Sequence, residues 1–323
     1  MKIALIGGSG FIGNYLVSTL KKDNHIIDVL DIQKTTRNDD LYKYADIRKA
    51  DSLLEFMNGT DIIINLAAVH HDDVKPQTLY QEVNVVGAKN ICKIASQKKI
   101  KHIVFISSVA VYGFPDSLNN ENSVLNPYNE YGITKASAER VFESWQQEIP
   151  EERKLVIIRP TVVFGPGNRG NVYNLIRTLD SGKFIMIGNG ENKKSMAYVE
   201  NLAAFISHVS INVNPGIRLY NYTDKPDLSM NELVEVIHLR LGNKPNINFK
   251  IPYFIGLFVG YLADLIGTVL RISLPISSIR VKKFCASTVF NSAVDTNNFV
   301  PPFTLKQGIY KTIDSDFVKV KRD

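Results

Sequence analysis

The chain has 323 residues, is 45% apolar and carries a formal net charge of +6, which excludes a disordered chain and provides for a large buried core. Two cysteines, Cys92 and Cys285, are too few for a disulfide framework and fit a reducing compartment. The basic balance favours an anionic partner, a diphosphate or lipid headgroup. Nucleic acid is set aside, because no basic stretch is interleaved with aromatics and no zinc spacing occurs.

Met1-Lys2-Ile3-Ala4-Leu5-Ile6 runs straight into Gly7-Gly8-Ser9-Gly10-Phe11-Ile12-Gly13, so the start reads as a first strand rather than a signal peptide. Short apolar runs at 2–6, 26–30, 62–65, 102–107 and 155–158 read as strands. Amphipathic stretches at 11–22, 52–57, 79–98 and 131–148 read as helices between them, the alternation of a parallel sheet with crossover helices. After Pro160 the rhythm breaks, with punctuation at Gly165-Pro166-Gly167-Asn168 and Gly188-Asn189-Gly190. The expected class is α/β: a Rossmann doubly wound parallel sheet over 1–165, joined by strands from later segments, and a smaller, interwoven C-terminal substrate domain over 166–323.

Residues 251–270, IPYFIGLFVGYLADLIGTVL, contain one charge, Asp264, and lie among the cations Lys244, Lys250, Arg271, Arg280, Lys282 and Lys283. A membrane-spanning helix needs roughly 20 apolar residues, and Pro252, Gly256, Gly260, Gly267 and Asp264 argue against one. An apolar helix with basic flanks suits a membrane interface. From composition alone, a buried helix pair of the substrate domain is the favoured reading.

Gly7, Gly10 and Gly13 follow a strand and open a helix, the context in which such a turn lets backbone approach a pyrophosphate at a helix N-terminus. Phe11 and Ile12 lie within that turn. Asp31 ends the next strand, where a carboxylate holds a ribose 2′-hydroxyl and repels a 2′-phosphate, favouring NAD over NADP. Asp46 and Ile47 are expected at the adenine edge. Leu66, Ala67 and Ala68 offer small residues beside the cofactor.

The chemistry is expected from Tyr131-Gly-Ile-Thr-Lys135, preceded by Ser107-Ser108. Tyrosine has an unperturbed pKa near 10. Lys135, one helical turn away, is expected to stabilise the phenolate and to hydrogen-bond the nicotinamide ribose. Ser108 is expected to share a hydrogen bond with a substrate hydroxyl.

These elements resemble an extended short-chain dehydrogenase/reductase of the NAD-dependent epimerase/dehydratase type. Asn84-Val85-Val86-Gly87, Ser107-Ser108-Val109-Ala110-Val111-Tyr112-Gly113 and Arg159-Pro160 leading to Phe164-Gly165-Pro166 carry the same resemblance. In the 4,6-dehydratases an Asp-Glu pair follows the Ser/Thr. Val109-Ala110 stand there in this chain and cannot exchange protons, which leaves 4-epimerisation or keto reduction.

Four longer stretches, 66–74 (Leu66 to Val74, with His70-His71-Asp72-Asp73), 167–175, 194–199 and 278–285, look like the bacterial 4-epimerases acting on N-acetylglucosaminyl-diphospho-undecaprenol in O-antigen assembly. That resemblance implies a diphosphate-linked sugar on a polyprenyl carrier and tightly held NAD. It also implies a homodimer formed through the Tyr131 helix, in the cytoplasm and peripheral on the inner face of the membrane, with 251–283 meeting anionic lipid. It further implies that Asn171 and Lys194 grip the diphosphate and that Thr288 leaves space for an N-acetyl group. Val162 departs from the Asn of many relatives, so sugar contacts there differ. The alternatives are a soluble UDP-sugar 4-epimerase, an NAD(P)H-dependent nucleotide-sugar 4-keto reductase, and a nucleotide-binding regulator without turnover. No metal site is expected.

Overall fold

Runs of Ile, Val and Leu that are apolar on both faces belong in a parallel sheet covered by helices on both sides. A computed structural model of the chain places them in one. It describes residues 1–35, 37–71, 74–114, 118–211, 213–242, 250–270, 277–294 and 298–318. Lys244 and Arg271 of the basic flanks, and Asp72 and Asp73 of the His-His-Asp-Asp stretch, lie outside these residues.

The chain divides into two units. The first comprises Met1–Val163, Ala197–Thr223 and Phe290–Phe303. Its sheet contains β1 (Lys2–Ile6), β2 (Ile26–Asp31), β3 (Tyr42–Tyr44), β4 (Ile62–Asn65), β5 (His102–Ile106), β6 (Lys154–Pro160) and β7 (Gly216–Tyr222). The order is β7-β6-β5-β4-β1-β2-β3, and every pairing is parallel. β1 pairs with β2 on one side (Lys2↔Ile26) and β4 on the other (Ile3↔Ile62). The strand order reverses there, and in open α/β sheets ligands bind beyond the carboxyl ends of the strands at such a point.

Period-two alternation assigns β1 side chains to two cores. Ile3 and Leu5 pack with Leu16, Leu20, Val104 and Phe205 on one face. Ala4 and Ile6 pack with Ile63, Phe105, Phe142 and Trp145 on the other. The covering helices are α1 (Phe11–Lys22), α2 (Gly87–Gln97), α3 (Glu130–Gln147) and α4 (Val199–Val209). A π-helical stretch, Gln81–Val86, leads into α2.

The second unit comprises Phe164–Met196, Asp224–Val289 and Thr304–Asp323. Met186–Ile187 pairs in parallel with Lys250–Ile251, and the strand Lys193–Tyr198 pairs antiparallel with Asp224–Ser229. Capping boxes at Ser229/Glu232 and Thr304/Gln307 start the helices Met230–Leu241 and Leu305–Ile313, satisfying amide groups that a helix start leaves open. The apolar segment forms α5 (Tyr253–Leu270), followed by α6 (Ser278–Cys285). The two pack together, yet only Gly256 and Gly260 of α5 are buried. The buried-pair reading therefore fails: the residues that pack are the small ones, and the large side chains point outward.

Candidate active site

The glycine turn lies at the reversal of strand order. Gly7 has φ +76, and a Cβ there would stand 2.5 Å from the Ala67 backbone nitrogen. Only glycine fits that close approach, so Leu66-Ala67-Ala68 at the end of β4 lies against the turn. Gly10 precedes α1 in an extended conformation and makes no side-chain cap bond. The first N–H groups of α1 are thus not covered by a capping side chain and can receive an anion. Ser9 Oγ is buried with no hydrogen-bond partner, a polar atom suited to a ligand inside the turn.

Asp31 accepts hydrogen bonds from the Ser9 N–H (3.1 Å to Oδ2) and the Gln33 N–H (3.0 Å to Oδ1). It fixes the turn with its carboxylate at the strand end, and lone pairs remain for a ribose diol. This set fits a dinucleotide: Gly7, Gly10, Phe11, Ile12 and Gly13 at the pyrophosphate, Asp31 at the ribose. Asp46 is buried and clamped by Arg48, whose Nη2 stands 2.7 Å from Oδ2. Those hydrogen bonds hold its carboxyl below the usual range, against the effect of burial. The Ile47 side chain is core, while its carbonyl accepts from Asn90 Nδ2 at 2.9 Å. These two therefore offer a tethered carboxylate and a backbone carbonyl already engaged by Asn90.

Three elements bring the chemical residues together. Ser108 follows β5 and caps a short 3-10 turn, its Oγ accepting from the Ala110 N–H at 3.1 Å. Tyr131 and Lys135 lie on α3, whose start is capped by Asn129. Ser108 hydrogen-bonds the Tyr131 hydroxyl. Burial raises the Tyr131 phenol above its ordinary value, and the Ser108 bond acts in the opposite direction. Lys135 is fully enclosed. Its ammonium donates to the Ile106 carbonyl and lies 4.2 Å from the Phe105 ring centroid. Burial lowers its pKa to about 7, while the Glu139 carboxylate acts to raise it.

In this structure the ammonium serves a carbonyl at the end of β5, and the phenol's resolved hydrogen-bond partner is Ser108.

Two supports were not assigned roles from sequence. Asn84, on the π-helical stretch, accepts from the Val69 N–H (2.9 Å) and donates to the Val69 carbonyl (3.1 Å) and to Thr134 Oγ1 (2.9 Å). It ties the segment after β4 to the α3 turn between Tyr131 and Lys135. Below them, Glu139 accepts from Ser107 Oγ and from Arg159 Nε (2.9 Å) and Nη2 (2.6 Å). Arg159 Nη1 reaches the Tyr112 hydroxyl at 2.7 Å, which reaches Asn221 Oδ1 at 2.8 Å. The only sequence signal for these supports was the position of Asn84, Ser107 and Arg159 inside recognisable motifs.

The second unit holds the other expected residues. Asn171 is exposed at the first position of the helix Asn171–Asp180, whose N-cap is Gly170, without a side-chain cap bond. Lys194 and Thr288 are brought together by a backbone bridge. Lys194 Nζ donates to the carbonyls of Lys283 (3.0 Å) and Ala286 (2.6 Å), closing the C-terminal end of α6. Burial lowers its pKa to about 8. Among the described residues, no group of three or more His, Cys, Asp or Glu side chains is placed to hold a metal.

Comparison with known proteins bears on this geometry. The chain is 43% identical over 322 residues to N-acetyl-alpha-D-glucosaminyl-diphospho-ditrans,octacis-undecaprenol 4-epimerase of Escherichia coli O157:H7, covering 99% of this chain and 97% of that protein. It is 28% identical to UDP-glucose 4-epimerase of Vibrio cholerae, covering 96% and 94%. The fold resembles that of UDP-glucose 4-epimerase from Thermus thermophilus, solved in complex with NAD, with a TM-score of 0.74 at 18% identity over 98% of each chain. The NAD dependent epimerase/dehydratase family matches residues 3–221, which contain the whole of the Ser108, Tyr131 and Lys135 site. With its Rossmann sheet, its glycine turn and the Ser108, Tyr131 and Lys135 grouping, the chain belongs to the NAD-dependent epimerase/dehydratase family, and its cofactor is NAD.

Proposed function

We propose that this enzyme inverts C4 of the N-acetylhexosamine in a lipid-linked sugar, interconverting the N-acetylglucosaminyl and N-acetylgalactosaminyl forms of diphospho-undecaprenol for surface polysaccharide synthesis. The observation that carries this reading is full-length identity of 43% to the E. coli enzyme of that activity. The Ser108, Tyr131 and Lys135 set, intact in the structure, supports it.

NAD, held by the Gly7–Gly13 turn and Asp31, would supply the redox chemistry at C4, as hydride acceptor and then donor. The protein's part is the proton. Ser108 Oγ holds the sugar O4 beside Tyr131 Oη, which acts as phenolate and takes the O4 proton as C4 becomes a ketone. Tyr131 starts from a raised pKa, so proton removal needs added positive charge nearby. Lys135, enclosed one turn away, is the protein's own source. The 4-keto sugar then turns about its diphosphate link, and Tyr131 returns the proton to O4 on the opposite face. The reaction has no net redox change, so the cofactor is retained between turnovers.

Asn171 and Lys194 are assigned to the diphosphate. An uncapped helix N-terminus and a partly buried ammonium both favour anions. Thr288, bridged to Lys194, is assigned to the N-acetyl group. Asp46, Ile47, Leu66, Ala67 and Ala68 are assigned to the adenine and ribose side of the cofactor. A substrate anchored in a bilayer implies an enzyme at the cytoplasmic membrane surface. Exposed Val86 and Ile133, the latter on α3, support a homodimer formed through the Tyr131 helix.

The deciding experiment offers purified enzyme the lipid-linked sugar in detergent and, separately, UDP-N-acetylglucosamine. Conversion of the first at least tenfold faster supports this reading. Preference for the second favours a soluble UDP-sugar 4-epimerase. Protein that lacks bound NAD and consumes NADH stoichiometrically with a 4-keto sugar is a reductase.

A further inference from the structure

Most of the large side chains of α5 are exposed. Eleven of them, Tyr253 through Leu270, are at least 39% exposed, with Phe254 at 71%, Phe258 at 69%, Leu265 at 61% and Val269 at 70%. Those four positions are spaced by 4, 7 and 4 residues, so they form one stripe along the helix. Monomeric soluble proteins rarely expose apolar patches beyond roughly 300–600 Å², and a helix's length of such side chains exceeds what solubility tolerates.

The opposite stripe fixes α5 to its own unit. A Cβ on Gly256 would meet Ile187 Cγ2 at 2.5 Å, and one on Gly260 would meet Ser278 Cα at 2.8 Å. Asp264, one turn further, accepts from the Ser278 N–H at 3.1 Å and so holds the start of α6. The one charge of α5 therefore faces inward. The helix is about 27 Å long, short of a roughly 30 Å hydrocarbon core, and one side of it is pinned along its length. It lies on a surface rather than crossing it.

Charge identifies that surface. Among the described residues of 250–270 and 277–289, Lys250, Arg280, Lys282 and Lys283 face a single acid, Asp264. Lys282 Nζ stands 5.4 Å from the Tyr261 ring centroid, a cation at the edge of the apolar face. A second copy docked through this face would bring like cations together. An anionic bilayer satisfies both the apolar stripe and the cations.

We propose that α5 and α6 form an in-plane docking surface for anionic lipid bilayers, with Phe254, Phe258, Leu265 and Val269 inserted and Lys282 and its neighbours at the headgroups. This deepens the lipid-linked reading and rests on it for its purpose, but the binding itself requires no substrate. α6 ends at Cys285 with Ala286 as its C-cap, and Lys194 Nζ donates to the carbonyls of Lys283 and Ala286 there. The docking surface and the lysine assigned to the diphosphate thus belong to one packed element, which meets a diphosphate at the headgroup level of the bilayer.

The test is flotation of the full-length, NAD-loaded enzyme, without substrate, on phosphatidylcholine vesicles with and without 30% phosphatidylglycerol. Wild type should float with the anionic vesicles, more weakly at high salt, and little with the neutral ones. Phe254→Glu with Phe258→Glu should abolish flotation while bound NAD and the circular dichroism spectrum stay unchanged. Arg280→Glu and Lys282→Glu should each weaken binding about fivefold or more. If wild type does not float, or if the double variant floats as well as wild type, the proposal fails. It also fails if light scattering shows a dimer that the double variant converts to monomer without any vesicle binding. Flotation by an enzyme that acts only on UDP-sugars would leave the docking surface standing and refute the lipid-linked substrate instead.

Discussion

Glu139 lies one turn beyond Lys135 on α3, with both side chains buried, and its carboxylate is shared between Ser107 and the Arg159 guanidinium. Lys135 is therefore held beside a buried anion that is itself neutralised by a second cation. Such an arrangement limits how far burial can discharge Lys135.

Replacing Tyr131 with Phe removes the hydroxyl proposed to exchange the O4 proton and nothing else of size. Epimerisation should fall by about 10²–10⁴-fold, the range for loss of a positioned acid–base group. Bound NAD and thermal stability should stay close to wild type, measured by absorbance after denaturation and by melting. Loss of NAD with activity would assign Tyr131 to cofactor retention instead.

Glu139→Gln should act through Lys135. With the anion gone, the Lys135 pKa falls further below about 7, and the alkaline limb of the kcat profile should move to lower pH. The variant also leaves Arg159 without its carboxylate, a loss of about 3–5 kcal/mol for a broken buried pair. Ser107→Ala is the companion: it removes one hydrogen bond to Glu139, should fold normally, and should shift the profile in the opposite direction by less. A profile unmoved in both variants would make Glu139 purely structural.

The depressed Lys135 pKa has a consequence for stability in NAD-free protein. The folded value is about 7 against an ordinary 10.5, so between these limits the unfolded chain binds more protons than the folded one. Stability must then rise with pH across that window. Below pH 7 both states are charged and the full cost of burying the ammonium applies. Lys194, at about 8, adds in the same direction over a narrower range. Urea midpoints should increase from pH 7 towards 10, and Lys135→Met should flatten the slope.

Much of the first unit was legible because burial and periodicity agree there. The strands at 2–6 and 62–65 and the helix at 11–22 match β1, β4 and α1 residue for residue, since each is a clean run between glycine or polar breaks. β3, Tyr42–Tyr44, was missed: three residues with two exposed give no alternation to read. β7 was not separated either, because a strand that joins the sheet after an excursion through the second unit carries no sequence mark of its destination. The Ser108, Tyr131 and Lys135 grouping was readable from motif spacing. The Lys135–Ile106 bond and the Glu139–Arg159 pair depend on which face of α3 meets β5 and β6, which spacing does not encode. In α5, composition could not distinguish a buried helix from an exposed one, because its glycines, not its large residues, make the contacts.

Asp31→Asn should change cofactor choice more than fold. The carboxylate holds the Ser9 and Gln33 amides, and an amide oxygen can keep one of these bonds. What it would lose is the proposed charge-assisted bond to the ribose diol and the repulsion of a 2′-phosphate. A hydrogen bond to a charged group contributes about 1.5–3 kcal/mol, so NAD affinity should fall roughly 10–150-fold, with NADP losing less. Isothermal titration of both dinucleotides checks this, and an equal loss for the two would show that Asp31 only shapes the turn.

Lys194→Met separates the two roles that meet at that side chain. The methionine stem fills similar space, but the α6 carbonyls of Lys283 and Ala286 lose their donor. If the ammonium also grips the substrate diphosphate, KM for the lipid-linked sugar should rise at least tenfold with kcat changed less, since a ground-state and transition-state contact is lost equally. Lys194→Arg keeps a cation and a donor and should recover part of that loss. A lysine that serves only to close α6 gives a different result: melting temperature falls in the Met variant, and KM stays at the wild-type value.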